Sequence, residues 1–233
     1  MATYTGLVIH QFKQKYPHVH SMADAGEVLL GPWGREIFGI AQILFFIFIM
    51  ASHILTFGIM MNTITHHGAC TIVFAVAALL LSIICTLPRT LKNVAYMSIT
   101  SFISIGAAVI VTMVGVSITK PGMGAIHYTT DPSFHKGFAA VLNIVFAYAG
   151  HVAFFGFISE LKDAKDFPKA LCLLQVSDTS LYILCAIVIY WFAGKDVKSP
   201  ALDSAGPTIR KIAYGLAIPT VCISSHLRPY PLS

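Results

Sequence analysis

Apolar residues in this chain come in long runs separated by short polar connectors. The runs cover residues 37–61, 68–87, 94–118, 137–159 and 171–193. Crossing a bilayer takes about 20 apolar residues, so each run predicts one spanning helix. A helix is required because lipid offers no partner to free backbone groups. Shorter runs at 1–12 and 212–224 predict partial spans, the second carrying Pro219. The most polar stretch, 10–36, predicts a short amphipathic interfacial helix from Ser21 to Leu30, stopped by Gly31-Pro32. A tight basic connector is expected at 88–92 and a longer loop, broken by Pro121, Gly122, Gly124 and Pro132, at 119–136.

Composition turns this pattern into a class. The 233 residues are 56% hydrophobic and only 11% charged, against about 25% charged in soluble domains. The expected fold class is an all-α polytopic membrane protein in a lipid bilayer. The net charge of +5 does not point to nucleic acid. The basic residues fall singly in connectors, where they set topology and meet head groups. A slight Lys and Arg excess places the connectors bearing Lys13, Lys15, Lys162 and Lys165 in the cytoplasm.

Candidate chemistry is sparse. The five cysteines form no CxxC pair and read as small packing residues. His10, His18, His20, His66 and His67 match no strong ligand spacing and read as solvated loop histidines. No metal or cofactor is expected. The chain has no nucleophile elbow or phosphate loop, so it is not expected to be an enzyme.

One span is odd. The run 137–159 carries Ala147-Tyr148-Ala149-Gly150-His151 in its middle. A helix in lipid is broken only where its freed backbone lines a protein cavity, and the freed groups can then hold an ion or zwitterion. Gly150 would permit unwinding, while Ala147 and Ala149 would let a ligand approach. A continuous helix would instead align Asn143, Ala147 and Gly150 as a small-residue packing seam. His151, and His53 in the Ser52-His53 pair, lie within spans, where an ionisable group is a functional candidate by default. A histidine can relay protons near neutral pH, or can sit neutral and bonded to a neighbouring helix. Glu160 and Asp178 sit near span ends, with Lys162 or Lys169 as expected salt-bridge partners.

Residues 146–171, FAYAGHVAFFGFISELKDAKDFPKAL, resemble the sixth transmembrane helix and following loop of fungal neutral amino acid permeases. These belong to the amino acid/auxin permease family, defined by the transmembrane amino acid transporter domain. Residues 15–36, 87–105 and 193–207 resemble further segments of that family. The resemblance implies a LeuT-like fold of two inverted repeats, with substrate at unwound helices in mid-membrane. It implies proton-coupled uptake of neutral aliphatic and aromatic amino acids, with the plasma membrane favoured and the vacuolar membrane as the alternative. It places Ala147 to His151 at the substrate, with Ser52 and His53 on a helix facing the same site. His151 is the candidate for proton coupling. The chain would correspond to the end of helix two through part of helix eight, a single partial domain truncated at both ends. Residues 225–233 do not resemble the family's continuation. Two other readings remain: a non-transporting membrane fragment, and a redox protein holding b-type haem between His53 and His151.

Overall fold

The computed structural model describes residues 1–85, 91–122, 126, 129 and 131–224. Part of the basic connector at 88–92, the end of the second expected span, most of the 119–136 loop's tip and the run 225–233 lie outside the described residues. The described residues hold no strand. Among them, nine α-helices follow in order: α1 (Ala2–Lys15), α2 (Met22–Leu30), α3 (Pro32–Thr65), α4 (Thr71–Cys85), α5 (Leu91–Thr119), α6 (Phe134–Ala147), α7 (Phe154–Glu160), α8 (Phe167–Ala193) and α9 (Pro207–Ser224).

Among the described residues, four stretches are long and apolar enough to cross a membrane: Pro32–Thr65, Tyr96–Thr119, Phe134–Glu160 and Ala164–Ala193. Burial inside the protein takes at most 22% of the most apolar window of any of them. Large side chains such as Phe48, Phe102, Ile144 and Leu173 are left outward, as lipid-facing surface demands. Helix ends differ from the hydropathy runs. α3 starts at Pro32, which is suited to the first helical turn because its missing N–H has no intrahelical use. It ends at Thr65, where His66 and His67 take φ of 53° and 59°. α9 starts at Pro207 rather than 212.

The chain forms two compact units. The first comprises Met1–Phe45 and Thr129–Tyr182. Here Phe154, Ile158, Phe167 and Leu171 form one core with Leu7 and Ile9. Val19, Ala25 and Phe155 form another with Phe12 and Tyr16. Lys13 ties the turn after α1 by donating to the carbonyls of Pro17 (2.8 Å) and Val19 (2.6 Å). Burial pushes the Lys13 amine down from its ordinary range, and the nearby Asp24 carboxylate opposes this. His10, expected in solvent, is instead buried: it lies on α1, stacks on Phe167 and meets Gln14 at 3.0 Å.

α2 opens on a reciprocal cap. Asp24 N–H donates to Ser21 Oγ (3.1 Å), and Ser21 N–H donates to Asp24 Oδ2 (3.0 Å). Burial alone would raise the Asp24 pKa. Hydrogen bonds from the His20 backbone and from Ser21, with the Arg35 charge, outweigh it and hold the carboxyl below its usual value. A depressed folded pKa means the contribution is present above the unfolded value, about 3.9, and is lost as pH falls through the folded one. Asp24→Asn should therefore speed amide exchange in the first turn of α2 at neutral pH, at a cost of about 1 kcal/mol. The gap between variant and parent should close at pH below about 3.9.

Gly26 and Gly34 hold α2 against α3 backbone to backbone. A Cβ on Gly34 would lie 2.1 Å from the Gly26 carbonyl oxygen, whereas one on Gly39 meets only the Ala23 Cβ at 3.6 Å. Gly34→Ala should cost about 1–3 kcal/mol in thermal unfolding. Gly39→Ala should be close to silent.

The second unit comprises Phe46–Tyr128 and Ile183–Ser233. Its best-packed pair is α5 with α9, around Met60, Ala108, Tyr214 and Ala217. A second cluster joins Val116, Ala193 and Ala205. Thr220 Oγ1 donates to the Ser101 carbonyl (2.8 Å), and Ser104 Oγ to the Leu216 carbonyl, so polar atoms also fasten α9 to α5. Tyr214 donates to Asp203 Oδ1 (3.0 Å), which also faces Arg210 at 3.8 Å.

Candidate functional site

The stretch Phe134–Glu160 is not one regular helix. α6 stops at Ala147, Tyr148 turns at φ −104°, ψ 15°, and a 3₁₀ turn runs through Ala149–Ala153 before α7 begins. The change re-aims the chain. α6 buries no residue, whereas α7 buries Phe154, Phe155 and Ile158. The tightened turn is achieved without a left-handed residue: Gly150 is not among the glycines of positive φ.

A break strands backbone carbonyls, and side chains answer them here. The Ala147 carbonyl lies 3.4 Å from the Tyr182 hydroxyl, which donates to it. The Tyr148 carbonyl lies 3.0 Å from His151 Nδ1. The rings of Tyr148 and Tyr182 meet edge to face at 5.7 Å, and the Tyr148 hydroxyl is 3.4 Å from Thr179 Oγ1. His151 Nε2 faces α1, at 2.9 Å from Thr5 Oγ1 and 2.8 Å from the Ala2 carbonyl. The Phe154 ring lies 4.8 Å from the imidazole. Gly150 is exposed, and a Cβ there would touch only Phe154 Cε1 at 3.9 Å. The result is an exposed turn, with Tyr148 and His151 on either side of Gly150.

Ala147, Tyr148, Ala149, Gly150 and His151 all belong to the first unit; Ser52 and His53, on α3, belong to the second. Ser52 is exposed, and its carbonyl accepts from Thr56 Oγ1 at 2.8 Å. His53 is half-buried and lines a small void with Phe57, Ala78, Ser82 and Val221. Both ring nitrogens of His151 are already engaged by oxygen atoms, so iron ligation would require one to give up its partner. Among the described residues, no cluster of three His, Cys, Asp or Glu side chains could hold a metal ion. Lys169, expected near Glu160 or Asp178, pairs with Asp166 at 2.9 Å.

Sequence reasoning missed Thr5, Thr179 and Tyr182. Each reaches the break from 31 or more positions away. The one available signal was polarity within an apolar run, which Thr179 and Tyr182 share with many residues that do nothing of the kind.

The described residues thus form an all-α polytopic membrane protein with a side-chain-capped break inside one span. The family model described as transmembrane amino acid transporter protein matches residues 1–233. The chain belongs to that family. It is 36% identical over 240 aligned positions to the "N amino acid transport system protein" of Neurospora crassa, covering 99% of this chain and 51% of the relative. It is 32% identical to a "Transmembrane transporter" of Gibberella moniliformis, over 93% of this chain and 48% of the relative. A third relative, from Fusarium pseudograminearum, carries the same description at 29% identity. The chain spans about half the length of the curated relatives it matches. No solved structure matches.

Proposed function

We propose that this chain carries part of a secondary active transporter that takes up neutral aliphatic and aromatic amino acids together with protons. The observation that supports this most is the turn at Ala147–His151 inside an apolar span, with carbonyls and an ionisable ring gathered at it. A zwitterion needs acceptors for its ammonium group and an apolar wall for its side chain. The Ala147 and Tyr148 carbonyls, each with a second lone pair beyond the bond it already accepts, supply the first, and Ala147, Ala149, Tyr148 and Phe154 supply the second. In this reading the fold is part of a LeuT-like inverted repeat, within one partial transporter domain at the plasma membrane. The family and the printed name of the Neurospora relative support amino acids as the substrate class.

The test is uptake of labelled leucine and phenylalanine into proteoliposomes with an acidic exterior. They carry the chain, alone and completed with the part of the Neurospora relative that it does not span. Uptake that rises with the imposed proton gradient and is competed by neutral amino acids supports the proposal. Uptake indifferent to the gradient removes proton coupling. Competition by lysine or glutamate as strong as by leucine removes the neutral specificity.

A further inference from the structure

The 3₁₀ turn Ala201–Ser204 and the start of α9 carry an ion pair that does not close. Arg210 Nη1 lies 3.8 Å from Asp203 Oδ1, beyond hydrogen-bond reach, although the two side chains are only 32% and 23% exposed. Arg210 Nε is shielded from solvent and has no hydrogen-bond partner among the described residues. Asp203 Oδ1 is taken by the hydroxyl of the buried Tyr214 at 3.0 Å, which fixes the carboxylate where it stands. Charges drawn out of water are stable when further hydrogen bonds fill what the pair leaves open. At Arg210 those bonds are missing.

Room for a partner lies beside the pair. A cleft of about 220 Å³ has Arg210, Asp203 and Lys198 as its polar wall and Pro121, Ala205 and Pro207 as its apolar one. All six residues belong to the second unit. Its loops are pinned. The Lys198 N–H donates to Ser204 Oγ (2.9 Å), the Gly122 N–H donates to the Phe192 carbonyl (3.2 Å), and Ala205 packs with Val116 and Ala193. The spans Tyr96–Thr119 and Ala164–Ala193 end here, which puts the cleft at the membrane boundary.

We propose that this cleft is a second binding site for an α-amino acid zwitterion, in which Arg210 takes the carboxylate and Asp203 takes the ammonium. The ligand class rests on the amino acid reading given above. A guanidinium offers Nε and Nη in one plane, which matches the two oxygens of a carboxylate, and the Nε edge of Arg210 is the vacant one. With Oδ1 held by Tyr214, Asp203 Oδ2 accepts from the ammonium. The 3.8 Å spacing selects among ligands. The two charged groups of an α-amino acid hang on one carbon, so they reach both protein charges at once. In a phosphoethanolamine head group a longer chain separates them. A bare anion would be drawn to Arg210 but repelled by Asp203, and a bare cation the reverse. The apolar wall of proline and alanine suits an aliphatic side chain. With the connector bearing Lys162 and Lys165 in the cytoplasm, α8 puts the cleft on the opposite side, from which an uptake substrate arrives.

The experiment is ¹⁵N NMR of the arginine-labelled chain in lipid bilayers, with the Arg210 Nε signal assigned by its loss in Arg210→Lys. Leucine should shift this signal, and leucine labelled with ¹³C at its carboxylate should show a direct dipolar contact to it. Leucinamide lacks the carboxylate and N-acetylleucine lacks the ammonium. Each should bind at least about ten-fold more weakly than leucine, the loss of one charge-assisted hydrogen bond. Asp203→Asn keeps an oxygen for Tyr214 and should weaken leucine by a similar factor without weakening N-acetylleucine. An Arg210 signal that leucine leaves unmoved overturns the inference. So does N-acetylleucine or inorganic phosphate binding as tightly as leucine, which makes the cleft an anion site, or phosphoethanolamine doing so, which makes it a head-group site. The ligand series on the parent decides by itself, so a misfolded Asp203→Asn leaves the test standing. Leucine at Arg210 without uptake of neutral amino acids removes the transport reading and keeps this site; uptake with an unmoved Arg210 does the reverse.

Discussion

Gly150→Leu should abolish amino acid uptake, reducing it by about 10–200-fold, while Gly150→Ala stays within a few-fold of the parent. A Cβ touches only Phe154 Cε1, at an ordinary 3.9 Å, and the residue has no positive φ to lose. Neither substitution therefore strains the backbone, and leucine favours helix better than glycine. The added isobutyl group projects from the exposed face of the turn beside Tyr148 and His151, the face the proposed site gives to substrate. Circular dichroism should show unchanged helix content for both variants, so lost uptake reports occupied space rather than unfolding. Gly150→Leu protein that transports at the parent rate would remove the break from the substrate site. The contrast with Gly34 is instructive: there alanine already collides with backbone, so loss of function would say nothing about a site.

How much of this was legible beforehand follows from which forces act locally. The spans at α3, α5 and α8 were legible because burying a long apolar run in lipid needs no partner from elsewhere in the chain. Their ends were not. Pro32 and Pro207 start helices because proline fits a first turn, yet both look like breakers when only hydropathy is read. The break at Tyr148 was legible from small residues in an apolar run. Its form was not, because a 3₁₀ turn is stable here through bonds from Tyr182 and His151 to carbonyls that the break frees. His10 was misjudged for the same reason. A histidine beside lysines reads as solvated until Phe167, far along the chain, is known to stack on it.

His151→Gln separates the two jobs that the geometry gives this residue. The imidazole meets the Tyr148 carbonyl at Nδ1 and the Ala2 carbonyl and Thr5 hydroxyl of α1 at Nε2, and in the proposed cycle it is the group that carries the proton. Glutamine retains an N–H donor able to reach a nearby carbonyl but does not titrate in the physiological range. If proton loading drives the cycle, gradient-driven accumulation of labelled leucine should fall by at least about ten-fold, in line with a lost catalytic proton carrier. Exchange of labelled for unlabelled leucine across the same membrane, which needs no net proton flow, should fall much less. His151→Ala removes the donor as well and leaves the Tyr148 carbonyl unanswered in an apolar setting, a penalty of about 1–3 kcal/mol. That variant should lose exchange too. Equal losses of accumulation and exchange in His151→Gln would instead make the ring a structural plug for the break. Proton coupling would then have to lie with another group, and His53, half-buried on α3, is the next residue to test.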